Sequence, residues 1–275
     1  MRTDVPDLVW TRTLKDVRYS VRTRISRLPW YVELVRRGRH RDEAVDDETA
    51  VVIDGFPRSA NTFASIAFQV AQERPVKIAH HLHSVANIVA GIDRRIPVLA
   101  LIRPPRDTVV SEVQREQPVS IRAVLAAYCR FYEALAPFVD RVVVGRFEQA
   151  TTEFGSIIRR INDRFGTSFG VFDHTKENVA LVFRLIDDRE TDQAKKLVDQ
   201  YLSGRVTLDT VMARLDRDGV EDVPIGILEN AVPRPAAGRA ATKALLESQL
   251  MDDRFAALRE RADRAYQGVA GSVRR

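Results

Sequence analysis

Residues 50–72 read AVVIDGFPRSANTFASIAFQVAQ: four apolar residues ending at Ile53, a loop over residues 55–64, then an apolar stretch with helical spacing. A short apolar run bounded by Asp54 and Gly55 predicts a strand buried on both faces. The Gly, Pro, Ser and Asn content that follows predicts a tight turn into a helix. A helix starting there leaves its first backbone N–H groups without intrahelical partners, and its dipole puts partial positive charge behind them. The segment therefore predicts a site for an anionic group, with a nucleotide phosphate as its natural occupant. Gly55 begins as the triphosphate-loop pattern G-x-x-x-x-G-K-[ST] would, but Ala60, Asn61 and Thr62 stand where Gly, Lys and Ser/Thr belong. The cation comes earlier, as Arg58, whose planar fork suits oxyanions. Loss of the lysine argues against ordinary ATP or GTP hydrolysis.

Outward from this segment the pattern alternates. Strands are predicted over residues 76–79, 97–102 and 141–146, and helices over 61–72, from about 107, over 121–136 and over 152–165, the last ended by Gly166. Residues 85–92 read as a helix or turn. The alternation predicts an α/β fold of the three-layer P-loop type with a mostly parallel central sheet and helical N- and C-terminal additions. Ligands of such sheets sit at the carboxyl ends of strands. Residues 1–48 read as a basic helical extension and 49–275 as the α/β domain, mainly helical beyond about 175, with a turn-rich stretch over 222–239. There is no internal repeat.

With 275 residues, 45% of them hydrophobic, the chain can bury a full core. A single cysteine, Cys129, excludes an internal disulfide framework and reads as a buried helical residue. No run approaches a membrane span and the N-terminus lacks a signal-peptide core, so the expected compartment is the cytoplasm. Charge is uneven. Residues 1–41 hold 11 Lys plus Arg against 4 Asp plus Glu, a surplus of +7 in a chain whose net charge is +5. Within it Leu14, Val17, Val21, Ile25 and Leu28 recur at helical steps, with Arg12, Arg18, Arg22, Arg24 and Arg27 around them. Two readings follow: membrane-surface contact through residues 12–28, or a helix whose apolar stripe packs on the main domain and whose basic face is solvated. The second is favoured. No aromatic stacking series accompanies the charge, so nucleic acid is not expected as a partner.

A second segment, Leu101 Ile102 Arg103 Pro104 Pro105 Arg106 Asp107 Thr108 Val109 Val110 Ser111, again leaves a strand and enters a helix. Arg103 and Ser111 make a sound pair for a second phosphate, one a charged fork and the other a neutral donor. Together the two segments resemble the sulfotransferase superfamily that uses 3′-phosphoadenosine 5′-phosphosulfate (PAPS). Its first loop reads roughly P-[KR]-S-G-T-T-[WF], where this chain has Pro57, Arg58, Ser59, Ala60, Asn61, Thr62 and Phe63; its second reads R-x-P-x-D-x-x-x-S, matched by Arg103, Pro105, Asp107 and Ser111. Gly145 Arg146 Phe147 Glu148 is a softer third match, and the resemblance covers about residues 50–170.

The resemblance implies that Arg58, Ser59, Asn61 and Thr62 hold the 5′-phosphosulfate, that Phe63 stacks on adenine, and that Arg103 and Ser111 hold the 3′-phosphate. Ala60 for Gly and Asn61 for Thr depart from the pattern, but neither removes the backbone anion nest. Arg58 for the commoner Lys keeps the charge. Arg239, with Arg234 and Lys243, stands where the family has a basic loop over the 3′-phosphate, although a solvated basic turn is the favoured reading. An acceptor hydroxyl needs a base, and His80, His81 and His83 follow the strand over residues 76–79. His81 before Leu82 best fits the family's K-T-H-L, with His80 a close rival. The expected activity is sulfuryl transfer from PAPS to a small-molecule, carbohydrate or lipid acceptor, leaving adenosine 3′,5′-bisphosphate and requiring no metal. The alternatives are an ATP-dependent phosphotransferase and an inactive nucleotide-binding interaction protein.

Overall fold

The computed structural model describes residues 5–187, 192–217 and 237–271. The chain begins with helices α1 (Val5–Ile25) and α2 (Trp30–Arg36), then alternates: β1 (Thr49–Gly55), α3 (Asn61–Val70), β2 (Lys77–His80), α4 (Val85–Asp93), β3 (Val98–Ile102), α5 (Pro105–Arg115), α6 (Ile121–Leu135) and β4 (Val143–Arg146). Helices follow: α7 (Phe147–Thr152), α8 (Phe154–Phe165), α9 (Lys176–Asp187), α10 (Asp192–Leu202), α11 (Leu208–Arg217), α12 (Ala237–Leu250) and α13 (Ala256–Ala270). Residues 222–236 of the turn-rich stretch, Arg234 among them, lie outside the described residues.

The four strands form one all-parallel sheet in the order β2-β1-β3-β4. Because side chains alternate along a strand, the apolar runs divide between two cores. Val52, Ala79, Val98, Ala100, Ile102 and Val144 face the layer built by α4, α5, α6 and α13. Val51, Ile53, Ile78, Leu99, Leu101 and Val143 face α3, α8, α9, α10 and α11. Three layers result, with both faces of the sheet covered.

The connection from β1 through α3 goes to β2 on one side, and the next, through α4, passes to β3 on the other side of β1. The strand order therefore reverses between β1 and β3, the switch point beyond whose carboxyl ends sheets of this kind form a crevice. Gly55 ends β1 opposite Leu101, so close that a Cβ there would lie 2.3 Å from the Leu101 carbonyl oxygen. Only glycine fits that seam.

Local chemistry sets the boundaries. Pro105 occupies the first turn of α5, where its missing N–H costs nothing, so the helix starts earlier than residue 107. Ser84 and Ser120 cap α4 and α6 by accepting from the N–H groups of Asn87 and Ala123. Gly166 closes α8 in the left-handed conformation, φ 65°. The helix predicted over 152–165 is preceded by a separate one, α7, because Glu153 (φ −150°, ψ 43°) breaks the chain between them.

The N-terminal extension corrects the favoured sequence reading. Helix α1 does pack on the main domain, but through its polar side. Asp16 accepts from the Ser120 N–H at 2.7 Å, Tyr19 donates to Glu112 at 3.1 Å, Thr23 accepts from Arg130 at 3.1 Å, and Ser26 is buried. Leu14, Val17 and Val21 face outward. The cause is what α1 lies against: a helix cap, a buried carboxylate and a guanidinium need hydrogen-bond partners, which an apolar stripe cannot supply. Among the described residues no helix is long and apolar enough to cross a membrane. Cys129 is buried on α6, as expected.

Candidate functional site

The loops after β1 and β3 meet at the crevice. Arg58 Nε donates to Ser111 Oγ at 2.9 Å, and an Arg103 N–H donates to the Arg58 carbonyl at 3.3 Å. Residues 53 positions apart are thus in direct contact. The Arg103 guanidinium carbon lies over the Phe147 ring, 4.0 Å from its centroid, and burial lowers the pKa of Arg103, with Asp107 and Glu148 opposing that shift. Its Nε is buried without a hydrogen-bond partner. A buried guanidinium N–H without an acceptor is costly, so an acceptor brought to this atom would relieve that cost.

The first loop is shaped by backbone strain. Arg58 (φ 67°) and Ala60 (φ 69°) both adopt the left-handed region, and Ala60, the N-cap of α3, supplies no side-chain cap. That leaves the first N–H groups of α3 to turn toward the crevice, the geometry of an anion nest. His81 (φ 58°) and His83 (φ 49°) on the neighbouring loop are left-handed too. Four of the five positive-φ non-glycine residues among those described therefore border one crevice, the fifth being Arg95. Strain of this kind persists where surrounding structure enforces it, and it clusters at functional sites.

The enforcing structure is α6. Tyr128 donates to the Arg103 carbonyl at 2.7 Å; Tyr132, one turn on, donates to the Leu101 carbonyl at 2.9 Å. With its proton so engaged, Tyr132 accepts from Ser59 Oγ, 3.3 Å away. Phe56 packs edge-on against Tyr128 and Phe131, and Asn61 Nδ2 closes the loop by donating to the Phe56 carbonyl at 3.0 Å. Two tyrosines at i, i+4 thus brace both loops from behind. Their spacing reads as core in the sequence, and no signal there separates a brace from packing.

The histidines differ in their hydrogen bonding. His81 Nε2 lies 2.8 Å from Thr62 Oγ1 and its Nδ1 lies 2.6 Å from His80 Nδ1, so both ring nitrogens are occupied, and His80 is buried. His83 Nδ1 lies 2.8 Å from the Gly55 carbonyl and must carry the proton, because a carbonyl only accepts. Burial, reinforced by the guanidiniums of Arg22, Arg115 and Arg58, pushes His83 down to about 4 against the hydrogen bond to Gly55. The ring is neutral at physiological pH, with its lone pair on Nε2 and 29% of the side chain exposed. Beneath it Asp54 is fully buried and burial raises it to about 7, despite N–H groups from Gly55, His83 and Ser84. A carboxylate closing an apolar strand was the available sequence signal for this anchor.

The resemblance-derived assignments sort accordingly. Arg58, Arg103 and Ser111 are joined by hydrogen bonds, while the Thr62 hydroxyl on the same first loop is paired with His81. Ser59 and Asn61 are buried, Ser59 Oγ donating to Tyr132 and Asn61 Nδ2 to the Phe56 carbonyl, with Asn61 Oδ1, an acceptor, left without a partner; the donors they could turn to an anion are mainly their backbone N–H groups. Pro57 is buried in the turn. Phe63 is corrected: its ring is buried against Phe172 and Phe183, a core position and not a platform for a base. Arg239 lies on α12, its side chain outside the described residues, while Lys243 is exposed beside Glu247 at 3.7 Å. The chain matches no family model, and a search of curated proteins finds no match.

Proposed function

We propose that this protein is a PAPS-dependent sulfotransferase that passes a sulfuryl group to an acceptor hydroxyl or amine, on a fold of the P-loop type. The observation that carries this reading is the contact between the two motif segments: Arg58 on Ser111, with Arg103 against the Arg58 carbonyl and its own Nε unpartnered. One loop offers backbone N–H groups and the other offers side-chain donors, which suits a nucleotide with two separate anionic ends. In this reading the α3 nest and Thr62 take the 5′-phosphosulfate, Arg103 and Ser111 take the 3′-phosphate, and Arg58 lies between them. The single buried cysteine suits a reducing compartment, and we propose the cytoplasm.

The acceptor atom bonds to sulfur as the bond from sulfur to the bridging phosphate oxygen breaks. The electron pair of that bond stays on the 5′-phosphate, and the acceptor's proton goes to the base. His83 is better placed for this than His81, because its Nε2 is unprotonated and makes no hydrogen bond to the described residues, while Gly55 fixes its tautomer. Positioning and charge stabilisation supply the rest.

Calorimetry with adenosine 3′,5′-bisphosphate tests the site. Wild type binds without added metal, and Arg103→Met weakens binding by roughly 30- to 100-fold, the scale of a charge-assisted hydrogen-bond pair. Folded protein that binds neither this nucleotide nor PAPS sinks the proposal, as does binding only of magnesium ATP. His83→Gln is expected to cut turnover by about 10²- to 10⁴-fold while sparing nucleotide affinity. With His83 lowered to about 4, wild-type kcat/KM should fall only as pH drops through that region, where the ring gains its proton. An acid limb unchanged in His83→Gln would remove His83 as the base.

A further inference from the structure

Helix α1 is amphipathic the wrong way round for a helix that only covers a core. Leu14, Val17 and Val21 are 67%, 56% and 45% exposed, and exposed Leu28, Trp30 and Leu34 follow them in the chain. At 100° per residue, Leu14, Val17, Val21 and Ile25 fall within a sector about 80° wide. Exposed Arg18 and Arg22 border it on one side and exposed Arg24 on the other. The opposite side carries the polar contacts to Ser120, Glu112 and Arg130 that hold the helix down. We infer that the outward face of α1, with Trp30 and Leu34 of α2, docks on an anionic lipid surface.

Charge selects that occupant. An apolar strip edged by arginines suits the boundary between acyl chains and anionic headgroups, where the basic side chains reach outward to phosphate. The inward side of the same segment reaches the loop after β2: the Ser26 carbonyl accepts from Ser84, and Arg22, at the edge of the outward face, is near enough to lower His83. The inference is independent of the nucleotide.

Cosedimentation of the full chain with vesicles of phosphatidylcholine, with or without phosphatidylserine, tests it. Binding is expected only to the serine-containing vesicles, weakening with salt. Leu14→Asn with Val17→Asn and Val21→Asn should abolish it, and the three side chains are exposed enough for the fold to survive, as circular dichroism would show. Arg18→Gln with Arg24→Gln should weaken it roughly thirtyfold. Failure of folded wild type to bind anionic vesicles overturns the inference. So does a dimer in light scattering that the triple variant dissolves without any lipid binding, since the face would then seat a second copy.

Discussion

The two halves of the crevice are built on opposite plans. After β1 the chain turns through two strained left-handed residues, Arg58 and Ala60, and offers mainly backbone N–H groups. After β3 it enters α5 directly through Pro104 and Pro105, without a positive-φ residue, and offers the side chains of Arg103 and Ser111. Backbone donors are fixed once the turn is fixed, so that half would place a bound anion rigidly. Side-chain donors can adjust, but burial and stacking on Phe147 confine Arg103. An anion at the first half would be held by position, and one at the second by charge.

Both plans depend on one seam, and breaking it should have the largest effect. Gly55→Ala would place a methyl group 2.3 Å from the Leu101 carbonyl oxygen, against backbone that cannot yield cheaply. The expected loss exceeds about 3 kcal/mol, the class of large effects from forced overpacking. Urea unfolding, or absence of soluble protein, would register it. A variant of near wild-type stability would mean that β1 and β3 are farther apart than the register Gly55↔Leu101 requires.

Sheet and crevice were legible in the sequence because both follow from short-range rules. Apolar runs of strand length, the Gly and Pro positions around them, and two arginine-bearing turns were enough to place the strands and join residues 58, 103 and 111 at one end. Long-range roles were not legible. Phe63 looks alike in sequence whether it stacks on a ligand or on Phe172, and Tyr132 looks alike whether it fills space or accepts from Ser59. The stripe on α1 was visible, but its direction depended on Ser120, Glu112 and Arg130, residues about a hundred positions away. A periodic pattern identifies a face, and only the partner decides which face is turned in.

The braces on α6 separate the halves at smaller cost. Tyr132→Phe removes the hydroxyl shared by Leu101 and Ser59 and leaves two buried polar groups short of a partner, an expected loss of about 2 kcal/mol. Tyr128→Phe removes one bond to the Arg103 carbonyl, for about 1 kcal/mol. Nucleotide binding should discriminate further. Loosening the rigid first loop is expected to weaken adenosine 3′,5′-bisphosphate more than loosening the second, where the Arg103 side chain keeps its stacking. Equal effects of the two variants on both stability and affinity would erase the distinction between a backbone half and a side-chain half.

The smallest effects should have opposite signs. Ala60 sits at φ 69°, where a Cβ costs about 1–2 kcal/mol that glycine escapes, while glycine's looser unfolded chain returns about 0.5–1 kcal/mol of that gain. Ala60→Gly is therefore expected to stabilise the fold by roughly 0.5–1 kcal/mol. Pro105→Ala should destabilise by a similar amount, because α5 loses a residue already set for the first helical turn and gains only an N–H without an intrahelical partner. Paired urea titrations at matched pH would resolve the two signs. Strain at the first half and ease at the second require both, since relief of strain can raise stability only where strain exists. If Ala60→Gly were destabilising, the left-handed turn would be held by contacts of the Ala60 methyl group, and the first loop would owe its shape to side-chain packing after all.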